Sequence, residues 1–136
     1  MLARLGPKGR IYAVDNDAKA LSTLRDLQQV DRIVADITGT FDLPVLVDGM
    51  LLANVLHFVK DQTSVLARLV QHVKPDGRVV FIEYDRRDKN RWVPYPISAK
   101  DLPALTTAAG LSTPTVVGRK ASEYSGDLYV AVSTRV

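Results

Sequence analysis

The sequence predicts an α/β fold built on a mostly parallel sheet, with helices on both faces and an antiparallel hairpin at one edge. Three observations predict it. Apolar, strand-like runs alternate with segments of helical periodicity along most of the 136 residues. The run RVVFIEY at 78–84 shows no polar alternation, as a strand buried on both faces reads. The last two runs are joined by a link too short for a crossover helix, which requires them to be antiparallel.

The opening MLARLGPKG reads as the last turn of a helix, with Leu2 and Leu5 inward and Gly6 just past its end. RIYAV (10–14) is rich in β-branched and aromatic residues, and Asp17 after it is a good N-cap. The following residues place Ala20, Leu24 and Leu27, and Leu21, Leu24 and Gln28, at helical spacing. RIVA (32–35) is a second strand ending at Asp36, and ITGTFDLP is a turn-forming connection punctuated by Gly39 and Pro44. A third strand runs from near Val47 through GMLLA to Asn54. TSVLARLVQHV (63–73) then carries one apolar stripe, Val65, Leu66, Leu69, Val70 and Val73, and KPDG (74–77) stops that helix. Beyond RVVFIEY, the polar segment DRRDKNRWVPYP leads to Ser98, which forms an S-x-x-D capping pattern with Asp101. The helix it opens turns Leu102, Leu105 and Ala109 inward and stops at Gly110. TPTVVGRK and DLYVAVSTR, joined by ASEYSG, make the closing hairpin.

Composition narrows the function. With 46% hydrophobic and 24% charged residues the chain is an ordinary globular sequence, expected to form a single domain over 1–136. It has no cysteine, and its two histidines, His57 and His72, cannot form a zinc cage alone, so no metal centre is expected. The most apolar stretch, VLVDGMLLANVLHFV, is interrupted by Asp48 and Asn54 and is too short to cross a bilayer. No signal pattern opens the chain, so no membrane association is expected and the cytoplasm is the expected location. The net charge is +3, and the basic run DRRDKNR (85–91) also holds two acids, which suits a solvated loop rather than a nucleic-acid surface.

In sheets of this kind ligands sit outside the carboxyl ends of the strands. Three apolar runs end in Asp15, Asp36 and Asn54, and a fourth ends in Glu83-Tyr84-Asp85. A carboxylate at such a tip can accept both hydrogen bonds of a ribose diol. Taken alone, the stretch IYAVDND leaves two readings open: Asp15 grips a nucleoside, or Asp15 or Asp17 caps the next helix.

Read together and in order, LGPKGRIYAVDNDAKAL, VADI, DGMLLANVLHFV, VQHVKPDGRVVFIEYD and the closing AAGLSTPTVV with DLYVAVSTR resemble the class I S-adenosylmethionine-dependent methyltransferases. The likeness is to the small-molecule branch of menaquinone/ubiquinone type. It implies a Rossmann-like methyltransferase sheet, S-adenosylmethionine as cofactor and a small-molecule acceptor. It further implies that Asp15 binds the ribose hydroxyls with Asn16 packing on the adenine side, that Asp36 accepts from the adenine amino group, and that the backbone of Ile37 pairs with the ring edge. Asn54 would line the methionine end of the cofactor and His57 would lie near the pocket mouth. Each position also has a plain structural role open to it: a turn cap for Asp36, a loop tie for Asn54, packing for His57. No residue is assigned to catalysis; His57, Glu83, Tyr84 and Asp85 are the pocket-side candidates, and Trp92, Pro94 and Tyr95 either wall a site for a planar acceptor or pack the loop.

One part of the family pattern is absent. The glycines fall at 6, 9, 39, 49, 77, 110, 118 and 126, and none forms the G-x-G-x-G loop that follows the family's first strand. The resemblance therefore implies a domain truncated at its N-terminus, with the central first strand missing between the strands ending at Asp15 and Asn54. Buried peptide groups left unpaired cost about 1–3 kcal/mol each, so compensation is expected. The flanking strands pair directly, a second copy supplies strands, or a separate segment completes the sheet; a homodimer through edges such as GMLLA and VVFIEY is the favoured expectation. The function is then a methyltransferase whose pocket is completed elsewhere or, alternatively, a catalytically inactive remnant acting as a dimeric interaction module. A dinucleotide-dependent oxidoreductase ranks third.

Overall fold

The computed structural model describes residues 2–122 and 126–136. The chain divides into two compact units, Met1–Pro44 and Val45–Val136.

The first unit opens with a 3₁₀ turn at Leu2–Arg4, where the sequence predicts the end of a helix. Strands β1 (Ile11–Asp15) and β2 (Val30–Val34) pair in parallel, from Ile11 opposite Val30 to Asp15 opposite Val34. Arg10 and Asp31 brace this pair with two hydrogen bonds of 2.9 and 2.7 Å. Helix α1 (Ala18–Ser22) is capped by Asp17, whose Oδ1 accepts the N–H groups of Lys19 and Ala20. α1 is much shorter than its apolar spacing predicts. The hydroxyls of Ser22 and Thr23 donate to the carbonyls of Lys19 and Ala20, a side-chain competition that weakens continuation of the helix. The chain goes on in i→i+3 turns through Leu24, Arg25 and Leu27 to Val30. Only Leu21 of α1 is buried.

The second unit holds β3 (Val47–Ala53), α2 (Gln62–Val70), β4 (Val73–Tyr84), α3 (Leu102–Ala108), β5 (Thr115–Lys120) and β6 (Leu128–Thr134). Its sheet runs β3-β4-β6-β5, with β3 parallel to β4 and the two final strands antiparallel, so the C-terminal hairpin forms as the sequence predicts. Residues 123–125 of its ASEYSG link lie outside the described residues. α2 buries Val65, Leu66, Leu69 and Val70. The Ser98 hydroxyl donates to Asp101 Oδ2 at 2.7 Å and accepts the Asp101 N–H at 3.2 Å, but α3 starts at Leu102 with Asp101 as its N-cap and no side-chain cap bond, so the expected capping box closes the turn before the helix instead of capping it. Gly110, at φ +87°, ends α3 in the left-handed conformation.

Three expectations change. Val73 and KPDG belong to β4 rather than to the end of α2: Val73 pairs with Val47, and Asp76 and Gly77 exchange backbone hydrogen bonds with Arg135. Gly77 is required there, because a Cβ would lie 2.4 Å from Val73 Cγ1 and 2.8 Å from the carbonyl oxygen of Lys74. β4 is not equally buried on both faces; Val79, Phe81 and Glu83 form the buried face, and Val80, Ile82 and Tyr84 a half-buried one. β4 is also paired on both sides, so of the two runs expected as pairing edges only that of β3 is an edge of its sheet. Among the described residues β1 and β3 belong to different sheets, and the strands ending at Asp15 and Asn54 do not pair directly.

Candidate functional site

In the first unit, the parallel register brings the tips of β1 and β2 together. The Asp15 carbonyl accepts the Ala35 N–H at 3.0 Å, which carries the pairing one residue past β2. Asp15 and Asp36 are exposed at these neighbouring tips, with Asn16 exposed and Ile37 half-buried beside them. The helix cap is Asp17 rather than Asp15. Asp15 instead uses Oδ1 to accept the Asp17 N–H at 2.9 Å, a turn that fixes its carboxylate and leaves Oδ2 outside it. Asp36 is anchored in the same way: Oδ1 accepts the N–H of Thr38 at 2.9 Å and its hydroxyl at 2.7 Å. The Thr38 hydroxyl, with its N–H, holds the Asp36 carboxyl below the ordinary carboxylate value. The result is two oriented, acceptor-only groups on adjacent loops.

In the second unit, Asn54 stands at the tip of β3 with φ +54°, a left-handed conformation that asparagine tolerates better than most residues. Its N–H donates to the Ile82 carbonyl at 2.9 Å. Next comes a 3₁₀ turn, Leu56–Phe58. Inside it, His57 is 2% exposed and pairs through Nδ1 with Glu83 Oε2 at 2.6 Å, while Glu83, 1% exposed, accepts the Leu56 N–H on Oε1 at 3.1 Å. The turn is tied to the loop holding Trp92, Pro94 and Tyr95. The Tyr95 N–H donates to the His57 carbonyl at 2.9 Å, and the Gln62 side-chain amide donates to the carbonyls of Leu56 and Tyr95. Asn90 Oδ1 accepts the N–H groups of Trp92 and Val93, burying Val93 and leaving Trp92 exposed under the Arg91 guanidinium, 4.7 Å from its ring. Asp85 closes β4: Oδ1 accepts the Ala99 N–H at 2.9 Å and Oδ2 the Arg119 guanidinium at 2.6 Å.

The residues singled out in the sequence thus fall into two groups: Asp15, Asn16, Asp36 and Ile37 in the first unit, Asn54 and His57 in the second. Sequence reasoning missed Gln62 and the pairing of His57 with Glu83. A signal for that pairing exists: Glu83 shares the period-two face of Val79 and Phe81, and a carboxylate on a buried face requires a partner.

A family model described as a methyltransferase domain matches residues 1–81, more than half of the chain. The chain belongs to this methyltransferase domain family. No curated protein matches it significantly. Among solved structures, this methyltransferase domain is similar to the N-methyltransferase NodS from Bradyrhizobium japonicum WM9, at 20% identity and TM-score 0.72, over 93% of this chain and 73% of that one. It is similar to a SAM-dependent methyltransferase from Aquifex aeolicus, at 18% identity and TM-score 0.71, over 96% and 71%. It is also similar to the 1,6-didemethyltoxoflavin-N1-methyltransferase of Burkholderia thailandensis with bound 1,6-didemethyltoxoflavin and S-adenosylhomocysteine, at 18% identity and TM-score 0.73, over 94% and 62%. The fold of the methyltransferase domain is accordingly the Rossmann-like α/β fold of these proteins. Among the described residues no helix is long and apolar enough to cross a membrane.

Proposed function

We propose that this methyltransferase domain takes S-adenosylmethionine as methyl donor and acts on a small-molecule acceptor, with Asp15, Asn16, Asp36 and Ile37 serving the nucleoside end of the cofactor. The observation that carries the reading is the pair of exposed carboxylates, Asp15 and Asp36, on the adjoining tips of β1 and β2. Each is oriented by a backbone N–H on Oδ1, so its remaining acceptor capacity is presented rather than mobile. A ribose diol and an exocyclic amine are donors, and acceptor-only groups fit them. When bound, the cofactor supplies an electrophilic sulfonium methyl group; the residues of the chain hold and orient it. Similar solved structures carry S-adenosylhomocysteine, and one carries a small heterocyclic acceptor, in support of the same chemistry.

A cofactor-free module that dimerises is the second reading. It is favoured by β3, an edge strand of its sheet on which Leu51 is 44% exposed. Thermal unfolding with S-adenosylhomocysteine or with NAD, run beside light scattering, separates the readings. The methyltransferase reading expects a rise in melting temperature that saturates with S-adenosylhomocysteine and none with NAD. A dimer unmoved by either ligand supports the module, and a rise with NAD alone supports an oxidoreductase.

A further inference from the structure

We propose that the loop surface of the second unit bearing Phe58, Trp92 and Tyr95 is a docking surface for an acidic polypeptide segment with apolar anchors. The surface lies wholly within Val45–Val136 and is independent of the cofactor reading. Among the described residues, these are the large aromatic side chains that stand exposed, at 60%, 62% and 39%. Apolar residues exposed singly need no explanation, but these share two loops that are bonded to each other. Tyr95 donates its N–H at 2.9 Å to the carbonyl of His57, the neighbour of Phe58. The Gln62 amide bridges the carbonyls of Leu56 and Tyr95 at 3.1 and 2.8 Å.

The second loop turns aliphatic residues inward and keeps its rings out. Val93 and Ile97 are buried, and Asn90 fixes that choice. Its Oδ1 accepts the N–H groups of Trp92 at 2.9 Å and Val93 at 2.7 Å, and its own N–H donates to the Val93 carbonyl at 3.1 Å. An aromatic side chain presented from so tied a loop loses little freedom when a partner covers it, which lowers the cost of association. Tryptophan, tyrosine and arginine are also the residues that carry most binding energy at protein interfaces. All three types occur here, with the Arg91 guanidinium stacked 4.7 Å from the centroid of the Trp92 ring.

Charge selects the partner. Between Asp85 and Trp92 the loop carries Arg86, Arg87, Lys89 and Arg91 against one acid, Asp88. Asp85 does little to offset them, because its Oδ2 is engaged by the Arg119 guanidinium at 2.6 Å. Lys60, two residues beyond Phe58, is exposed as well. Rings rimmed by cations match a segment in which aromatic or aliphatic side chains lie among carboxylates. An anionic bilayer is the poorer match, since sinking Trp92 among acyl chains would carry the Arg91 guanidinium with it.

Trp92 is the one tryptophan of the sequence, so its fluorescence reports on this surface alone. Titration of the full chain with a random glutamate–tyrosine copolymer, under excitation selective for tryptophan, is expected to give a saturable blue shift. In the wild-type chain, high salt should weaken the affinity by about tenfold or more, a readout that needs no variant to fold. Arg87→Glu combined with Lys89→Glu should weaken it by about tenfold, and Tyr95→Ala by about fivefold. Absence of a shift, or equal affinity for a lysine–tyrosine copolymer or for polyglutamate without aromatic residues, overturns the proposal. A shift with phosphatidylglycerol vesicles and none with the copolymer overturns it in favour of a bilayer surface. A shift with 1-naphthol and none with the copolymer overturns it in favour of a wall for a small planar ligand.

Discussion

The N–H of Ala35 donates to the carbonyl of Asp15 at 3.0 Å, locking the tips of β1 and β2 in register. Because successive residues of parallel strands advance together, this one bond places the loop of Asp36 beside the loop of Asp15. Thr38 then decides the state of Asp36. Its hydroxyl and N–H favour the charged carboxylate, which keeps Asp36 an acceptor. Thr38→Val removes the hydroxyl and should raise the Asp36 titration toward the ordinary value of about 3.9, read from its carboxyl carbon shift by NMR.

Asp85 should make the second unit acid-sensitive. The Ala99 N–H holds its carboxyl below the ordinary value, and the Arg119 guanidinium adds to this against the opposing effect of burial. A group depressed in the folded state stabilises the fold above its unfolded value, and that contribution is lost as pH falls through the lowered folded value. Denaturant midpoints measured from pH 7 down to pH 3 should fall, and Asp85→Asn should start lower and fall less.

Tyr129 sets the opposite dependence. Its ring is buried and its hydroxyl donates to the Ile97 carbonyl at 2.8 Å. Burial pushes the hydroxyl well above the usual phenol range, with the charges of Glu83 and Asp85 acting in the same direction. The folded state therefore holds this proton more tightly than the unfolded chain, and the stabilisation present at neutral pH is lost as pH rises past about 10. Tyr129→Phe should cost about 1–3 kcal/mol at pH 7 by leaving the Ile97 carbonyl unpaired, and should flatten the alkaline fall in stability.

Gly77 tests the turn within β4. An added Cβ meets Val73 Cγ1 at 2.4 Å and the backbone oxygens of Lys74 and Asp48 at 2.8 and 2.9 Å, so backbone must move. Gly77→Ala should lower stability by about 1–3 kcal/mol in urea unfolding, whereas the exposed Lys74→Ala should change it little.

Much of the architecture was legible where a single residue or one period carried the signal. Asp17 as a cap, the stripe of Val65, Leu66, Leu69 and Val70, and the terminal hairpin are all local patterns, and each forms. The failures are where two local choices compete. Leu24 and Leu27 continue a helical period, yet the hydroxyls of Ser22 and Thr23 bond the preceding turn and α1 stops. Val73 completes the stripe of α2, yet pairing with Val47 takes it into β4. The site divides in the same way. Acids at strand tips are visible as the ends of apolar runs, but the contact of His57 with Glu83 joins residues 26 positions apart, and only the sheet face assigns it.

Isothermal titration of the chain with S-adenosylhomocysteine, beside Asp15→Ala, tests cofactor binding at the β1 tip most directly. Saturable binding in the wild-type chain that weakens by about tenfold or more in Asp15→Ala is the expected result, since the variant loses a carboxylate's hydrogen bonds, about 1.5–3 kcal/mol. Binding that is absent from the folded wild-type chain, or equal in the two proteins, contradicts the assignment of Asp15 as the grip on the nucleoside.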